Sequence, residues 1–147
     1  EKKIQMAVNA LPYVDEINIM SYGKFDDTGN QAPMELFQRW LHNYAAAGVP
    51  TEKLIVGVPF YGKRLMTNND RSRIAVSYAE IVAASHPGPD VNWFKNYSYN
   101  GLQVVEEKAK LLRSNRYKGI MAWELSMDLP LTSDSSLLKR IHQINMQ

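Results

Sequence analysis

LIVGVPFYG, at residues 54–62, is one of three short apolar runs that end in aromatic residues and glycine. The other two are INIMSYG at 17–23 and GIMAWEL at 119–125. Each run has the length of a buried strand, and a segment with helical periodicity follows each of them. This order of elements predicts an α/β fold of βα repeats, with parallel strands and a ligand site at the strand ends.

The spacing of the predicted strands indicates part of a barrel. The first two strands lie one βα unit apart, whereas the longer interval to the third suits one unit with an insertion over 62–101. Within that insertion, the aromatic and polar run 93–100 predicts a small hairpin. A complete (β/α)₈ barrel takes about 250 residues. The sequence therefore predicts a single domain over 1–147 with the content of the last third to half of such a barrel.

The composition excludes several classes of protein. Hydrophobic residues make up 45% and charged residues 22% of the chain, which is ordinary for a globular domain. The 17 basic and 15 acidic residues give a net charge of +2, too balanced to predict nucleic acid or a membrane surface as a partner. Without cysteine there is no disulfide scaffold or thiolate site. The three histidines have no ligand spacing, so we expect neither a metal nor another cofactor.

Two local predictions concern the first strand and the last helix. The first strand is predicted over about 16–22, with both faces mostly apolar and both therefore covered by other elements. Alternation assigns its side chains to two faces: Asn18, Met20 and Tyr22 on one, and Ile17, Ile19 and Ser21 on the other. The last helix is predicted to begin near Ser133 or Asp134. A capping box of Ser77 and Glu80 predicts a short helix inside the insertion.

The strand-end motifs resemble those of glycoside hydrolase family 18, the chitinase-like barrels. MSYG at 20–23 is similar to the family's sixth-strand M-x-Y-D, and GVPFYG at 57–62 to its seventh-strand G-x-P-x-Y-G. GIMAWELSMD at 119–128 is similar to the eighth-strand G-x-M-x-W-E-x-x-x-D. YNG at 99–101 also recurs in bacterial members. The resemblance implies strands six to eight of a TIM barrel, with a short insertion before the last strand, and a bacterial source.

The resemblance implies retaining hydrolysis of β-linked N-acetylglucosamine, in chitin-like or N-glycan-like substrates, with the substrate's own acetamido group as nucleophile. In that scheme a Glu protonates the leaving oxygen and an Asp orients the acetamide. Both belong to an Asp-x-x-Asp-x-Asp-x-Glu motif on the fourth strand, and no acidic residues of this sequence have that spacing. We therefore expect the general acid upstream of Glu1 and the chain alone to be inactive.

Five residues are the candidate substrate contacts. The resemblance implies that Tyr22 hydrogen-bonds the acetamido group, that Trp123 forms the floor under the cleaved sugar, and that Met20 lines the same pocket. Asp26 could reach this space from its loop, and Tyr61 could extend a sugar-stacking surface. The alternatives are structural: core packing for Met20, Tyr22 and Trp123, a turn cap for Asp26, and packing of the insertion for Tyr61.

One position departs from the family pattern. Gly23 stands where the family has an Asp that contacts the sugar. Glu124 should point towards the surrounding helices and form a structural ion pair, and Asp128 should cap the turn after the last strand. The basic run 63–73 predicts a solvated loop rather than a phosphate site.

Three interpretations of the whole chain follow. It is part of a glycosidase, or a chitinase-like binding protein without the acid, or a half-barrel that closes by pairing with a copy of itself or another chain, because bare strand edges require a partner. The expected partners are an N-acetylglucosamine-containing saccharide and the missing N-terminal half.

The family implies a secreted, periplasmic or cell-surface location. No signal peptide is visible, and the sequence begins with Glu1 rather than Met, so we expect a processed chain or a piece of a longer one. No apolar stretch approaches the roughly 20 residues that span a bilayer.

Overall fold

A parallel sheet of three strands forms the centre of the computed structural model, which describes residues 2–65 and 74–146. Its strands are β1 (Ile17–Ile19), β2 (Leu54–Pro59) and β7 (Gly119–Trp123), in the spatial order β1-β2-β7. Ile19 pairs with Val56, which in turn pairs with Ile120. The three apolar runs are thus parallel neighbours, as the sequence predicted.

Helices cover one face of this sheet. In the described residues the α-helices are α1 (Lys2–Ala10), α2 (Met34–Ala46), α3 (Tyr78–Ser85), α4 (Leu102–Ser114) and α5 (Leu137–Asn145). Short 3₁₀ helices lie at Leu11–Tyr13, Thr51–Lys53 and Leu125–Met127. Leu54, Val56 and Val58 of β2 are at most 1% exposed and belong to one core with Phe37 of α2 and Val105 of α4. The nearly continuous apolar sequence of β2 reflects this central position.

The segment between β2 and α4 forms a second, antiparallel sheet. Its strands are β3 (Tyr61–Lys63), β4 (Ala75–Ser77), β5 (Trp93–Phe94) and β6 (Tyr97–Ser98), in the order β4-β3-β6-β5. β5 and β6 are the hairpin that the run 93–100 predicted. The predicted capping box begins α3, with Ser77 Oγ accepting from Glu80 N at 3.1 Å. The solvated loop predicted over 63–73 is wrong at Lys63, which pairs with Ala75 as the last residue of β3, and its residues 66–73 lie outside the described ones.

The other face of the parallel sheet, called the open face below, is only partly covered. β1 is shorter than predicted, and its two sides differ: Ile19 is 4% exposed, whereas Asn18 is exposed and Met20, just after the strand, is 66% exposed. The prediction of a strand covered on both faces is wrong, because the described chain places its helices on one side only. The register puts Asn18, Ile55, Met121 and Trp123 on this open face.

The last helix begins at Leu137, three or four residues later than predicted, and a distant carboxylate caps it. Asp128 accepts hydrogen bonds from Leu137 N at 3.0 Å, Leu138 N at 2.8 Å and Ser136 Oγ at 2.9 Å. Ser136 Oγ itself accepts from Lys139 N at 3.1 Å. The carboxylate therefore satisfies the free N–H groups of α5 rather than the turn after β7.

A buried lysine joins α4 to the loop after β1. The Nζ of Lys108, whose side chain is fully buried, donates to Ala32 O and to Asn100 Oδ1, both at 2.6 Å. It also lies 4.6 Å from the centre of the Phe37 ring. Asn100 continues the network by donating to Gln31 O at 2.8 Å. Burial lowers the pKa of Lys108 to about 7, from an ordinary value of 10.5.

This lysine should make stability depend on pH. Between about pH 7 and pH 10 the unfolded chain holds a proton on Lys108 that the folded chain has released, so the free energy of unfolding should rise with pH. Lys108→Met should remove at least about 1 kcal/mol of that rise, as measured by urea denaturation at about pH 7 and pH 9.5. Lys110→Met, an exposed change on the same helix, should keep the wild-type slope. Equal slopes in both variants would contradict the assignment.

Candidate functional site

The candidate site lies on the open face, at the carboxyl ends of the parallel strands. Trp123 is the last residue of β7 and is 51% exposed, although large aromatic side chains are usually covered. Tyr22 follows β1, and its hydroxyl lies 4.0 Å from the sulfur of Met121. Met121 pairs with Gly57 of β2, so the three strands contribute to one surface.

Tyr22 lies directly against the backbone of β2. A β carbon built at Gly57 would come within 2.5 Å of Tyr22 Cε1, so the ring occupies the space that any other residue at 57 would fill. Ser21 Oγ donates to Gly57 O at 2.8 Å and holds the chain there. Burial raises the pKa of the Tyr22 phenol, which keeps it protonated and able to donate a hydrogen bond at neutral pH.

Tyr61 adds a second phenol beside the first. Its ring meets that of Tyr22 edge-on, with centroids 6.4 Å apart and planes at 88°. Burial, and then the neighbouring Tyr22, raise the pKa of Tyr61 to about 12. Gln31, which is fully buried, donates from Nε2 to Tyr61 O at 3.1 Å and so fixes the start of β3.

Gly23 lies in space beside the side chains of Tyr61 and Lys63. Its φ is +74°, a backbone conformation that suits glycine. A β carbon there would lie 3.2 Å from the Tyr61 hydroxyl and 3.8 Å from Lys63 Nζ. Lys63 Nζ donates to Gly23 O at 2.8 Å.

Asp26 is engaged within its own loop. Its Oδ1 accepts from Thr28 N, Thr28 Oγ1 and Asn30 N, and its Oδ2 accepts from Asn30 Nδ2, at 2.8–3.0 Å. Desolvation opposes ionisation, but the hydrogen bonds from Asn30 and Thr28 outweigh it and lower the pKa of Asp26. These contacts are those of a turn cap, and a role in substrate binding stays a prediction.

Among residues 2–65 and 74–146, Glu124 does not form the predicted ion pair. In the described chain its Oε1 accepts from Ser126 Oγ at 2.6 Å. That prediction is wrong because the chain turns into the 3₁₀ helix Leu125–Met127 at this point and places a hydroxyl, not a base, beside the carboxylate. The peptide bond between Trp123 and Glu124 is cis.

Three residues of the candidate site were not identified as such from the sequence: Gly57, Met121 and Lys63. Met121 carried a usable signal, because it lies two residues before Trp123 and therefore on the same face of its strand. Gly57 and Lys63 depend on neighbours from other elements. Among residues 2–65 and 74–146, no three His, Asp or Glu side chains group as metal ligands, and no helix is long and apolar enough to cross a membrane.

Comparison with known proteins gives consistent matches. The family model described as glycosyl hydrolases family 18 matches residues 2–128. The crystal structure of the GH18 chitinase ChiB of Flavobacterium johnsoniae is 29% identical, with a TM-score of 0.78 over 92% of this chain and 44% of that one. A chitinase structure from Bacteroides thetaiotaomicron is 26% identical, with a TM-score of 0.77 over 92% and 46% of the two chains.

More distant relatives agree. A class V chitinase mutant of Cycas revoluta, solved in complex with (GlcNAc)₃, shares the fold with a TM-score of 0.72 at 23% identity, over 94% of this chain and 48% of that one. The putative chitinase 1 of Margaritifera margaritifera is 25% identical over 119 residues, 64% of this chain and 25% of its own length. The chain thus spans less than half the length of these proteins, and the predicted partial (β/α)₈ barrel is confirmed.

Proposed function

Since this chain belongs to glycosyl hydrolase family 18, we propose that it is the sugar-binding part of a barrel that hydrolyses β-linked N-acetylglucosamine, in chitin-like or N-glycan-like substrates. It supplies strands six to eight of that barrel, with 62–101 as an insertion in a single domain. The observation that carries the proposal is the open face, where a phenol after β1 and an exposed indole at the end of β7 lie on either side of β2. The phenol of Tyr22 can donate a hydrogen bond, and the indole of Trp123 offers an apolar surface.

Trp123 suits the floor of a sugar site. The C–H face of a pyranose packs against an indole, and covering an aromatic side chain of this size is worth a few kcal/mol. Half of Trp123 is available for such a contact. Met20, which is 66% exposed after β1, provides further apolar surface beside the site.

Tyr22 suits the contact to the acetamido group. In substrate-assisted hydrolysis that group attacks the anomeric carbon, and charge develops on it in the transition state. A hydrogen bond from the Tyr22 hydroxyl strengthens as this charge grows, so it contributes to rate more than to binding. The hydroxyl has only the weak acceptor Met121 Sδ, at 4.0 Å, among the described residues, and is available to a substrate.

The general acid is proposed to lie on strands that this sequence does not contain. Those strands would also cover the open face and the bare edges of β1 and β7. They belong either to the same polypeptide or to another chain; pairing of two copies of this chain is the competing arrangement.

As in the family as a whole, we propose a secreted or cell-surface location.

The test is an assay of the purified 147-residue chain. We expect no hydrolysis of a chitobiose-based chromogenic substrate, but measurable binding of the N-acetylglucosamine trimer by calorimetry. Hydrolysis by a mass-verified sample would contradict the placement of the acid outside this chain. Absence of trimer binding by a folded sample would contradict the sugar-binding role. Size-exclusion chromatography separates the monomer from a paired half-barrel.

A further inference from the structure

Lys63 is a cation at the rim of the site, and it has no carboxylate partner among the described residues. It lies two residues after Tyr61 in β3, on the same side of the strand. Its Nζ donates to Gly23 O at 2.8 Å and lies 5.7 Å from the centre of the Phe25 ring. Within the described residues this ammonium makes no other hydrogen bond and no salt bridge. Because an ammonium carries three N–H donors, two remain available to a ligand.

Within residues 2–65 and 74–146, no carboxylate forms a salt bridge with this ammonium. Gly23 has no side chain, although a β carbon there would lie 3.8 Å from Lys63 Nζ and 3.2 Å from the Tyr61 hydroxyl. Asp26, three residues further along the loop, already accepts four hydrogen bonds from Thr28 and Asn30. The space beside Gly23 therefore faces two donors, the ammonium of Lys63 and the phenol of Tyr61, and the acceptor that the described residues provide for this ammonium is the backbone oxygen of Gly23.

We propose that Lys63 selects N-acetylhexosamine chains that carry a carboxylate, which binds in the space beside Gly23. A hydrogen bond in which both partners are charged is roughly twice as strong as a neutral one, and its energy grows as the site loses water. The Tyr61 hydroxyl supplies a second donor to the same carboxylate. This inference rests on the proposed function, since it names the substrate class of that same site.

Three disaccharides of nearly the same shape test the proposal by calorimetry on the 147-residue chain. They are N-acetylglucosaminyl-N-acetylmuramic acid, its carboxyl methyl ester, and chitobiose, which lacks the lactyl ether altogether. We expect the acid to bind at least about fivefold more tightly than the ester, which corresponds to about 1 kcal/mol. The preference should weaken at high salt, because the site is partly exposed.

Variants assign the preference to the ammonium. Lys63→Met should bring the ratio of the acid and ester dissociation constants to about one, whereas Lys24→Met, an exposed change in the adjoining loop, should keep the wild-type ratio. Gly23→Asp should also abolish the preference, because its carboxylate would pair with Lys63. Gly23→Asn is the matched neutral control, since both residues tolerate a positive φ better than others do.

The outcomes separate the two proposals. Equal binding of the acid and the ester by the wild-type chain, or a preference that survives in Lys63→Met, would overturn the role of Lys63 and leave the proposed function standing. Failure of all three disaccharides and of the N-acetylglucosamine trimer to bind would contradict the proposed function itself. Circular dichroism shows whether each variant is folded. If Lys63→Met does not fold, the acid and ester dissociation constants of Gly23→Asp test the role of Lys63 instead.

Discussion

Replacing Trp123 by alanine should lower kcat/KM of the complete barrel at least about tenfold, which is about 1.4 kcal/mol of transition-state stabilisation. The same change should weaken binding of the N-acetylglucosamine trimer to this chain by a similar factor. The reason is that the indole is half exposed at the end of β7, so its removal costs the ligand a stacking surface. The free energy of unfolding should change little, because few core contacts are lost.

Tyr13→Ala is the matched control for this prediction. Tyr13 is 86% exposed in the 3₁₀ helix Leu11–Tyr13, which precedes β1 and therefore lies towards the opposite end of the strands. Its loss should leave both binding and kcat/KM unchanged. If Trp123→Ala instead lowered stability without altering trimer binding, the indole would be a packing residue and the proposed floor of the site would be wrong.

Replacing Gly57 by alanine should damage both the fold and the site. The added methyl carbon would lie 2.5 Å from Tyr22 Cε1 and 2.9 Å from Ile19 O, and the second of these is backbone in the neighbouring strand. Relief therefore requires the Tyr22 ring to leave its position. We expect a loss of about 1–3 kcal/mol in the free energy of unfolding, typical of overpacking, and at least about a tenfold fall in kcat/KM.

Gly119→Ala provides the control in the adjacent strand. A methyl group there meets nothing closer than Ile55 Cγ1 at 4.0 Å, so the unfolding free energy should stay within about 0.5 kcal/mol of wild type. Tyr22→Phe is the second arm, since it keeps the ring over Gly57 and removes only the hydroxyl. It should lower kcat/KM at least about tenfold with little change in stability. If Gly57→Ala and Gly119→Ala changed the free energy of unfolding and kcat/KM equally, the position of the Tyr22 ring would not depend on Gly57.

Much of the local structure could be predicted because its causes are close in sequence. The capping box of α3 needs only Ser77 and Glu80, three residues apart, and both hydrogen bonds form within that turn. The apolar run of β2 likewise indicates a strand that packs between two neighbours. The motifs at the strand ends placed Tyr22 and Trp123 at one edge of the sheet, because parallel strands present their carboxyl ends together.

Features that depend on a distant partner were missed or misplaced. The start of α5 was predicted too early because the carboxylate that caps it belongs to Asp128, nine residues before Leu137. The first strand was predicted to be covered on both faces because both are mostly apolar. That prediction failed because the strand's own sequence does not specify which other elements pack against it. An ion pair was predicted for Glu124 from the direction of its side chain, whereas the partner is set by the 3₁₀ helix that follows.

The sequence by itself determined the order of the elements, the parallel partial barrel and the family, because hydrophobic periodicity and short motifs are properties of neighbouring residues. Only the tertiary structure decided how the site is built. Tyr22 lies on Gly57 and Lys63 faces the empty position of Gly23 through contacts between residues 35 and 40 positions apart. Such contacts depend on strand register and on the space that a glycine leaves beside its neighbours. The sequence around one residue of such a pair does not specify either of them.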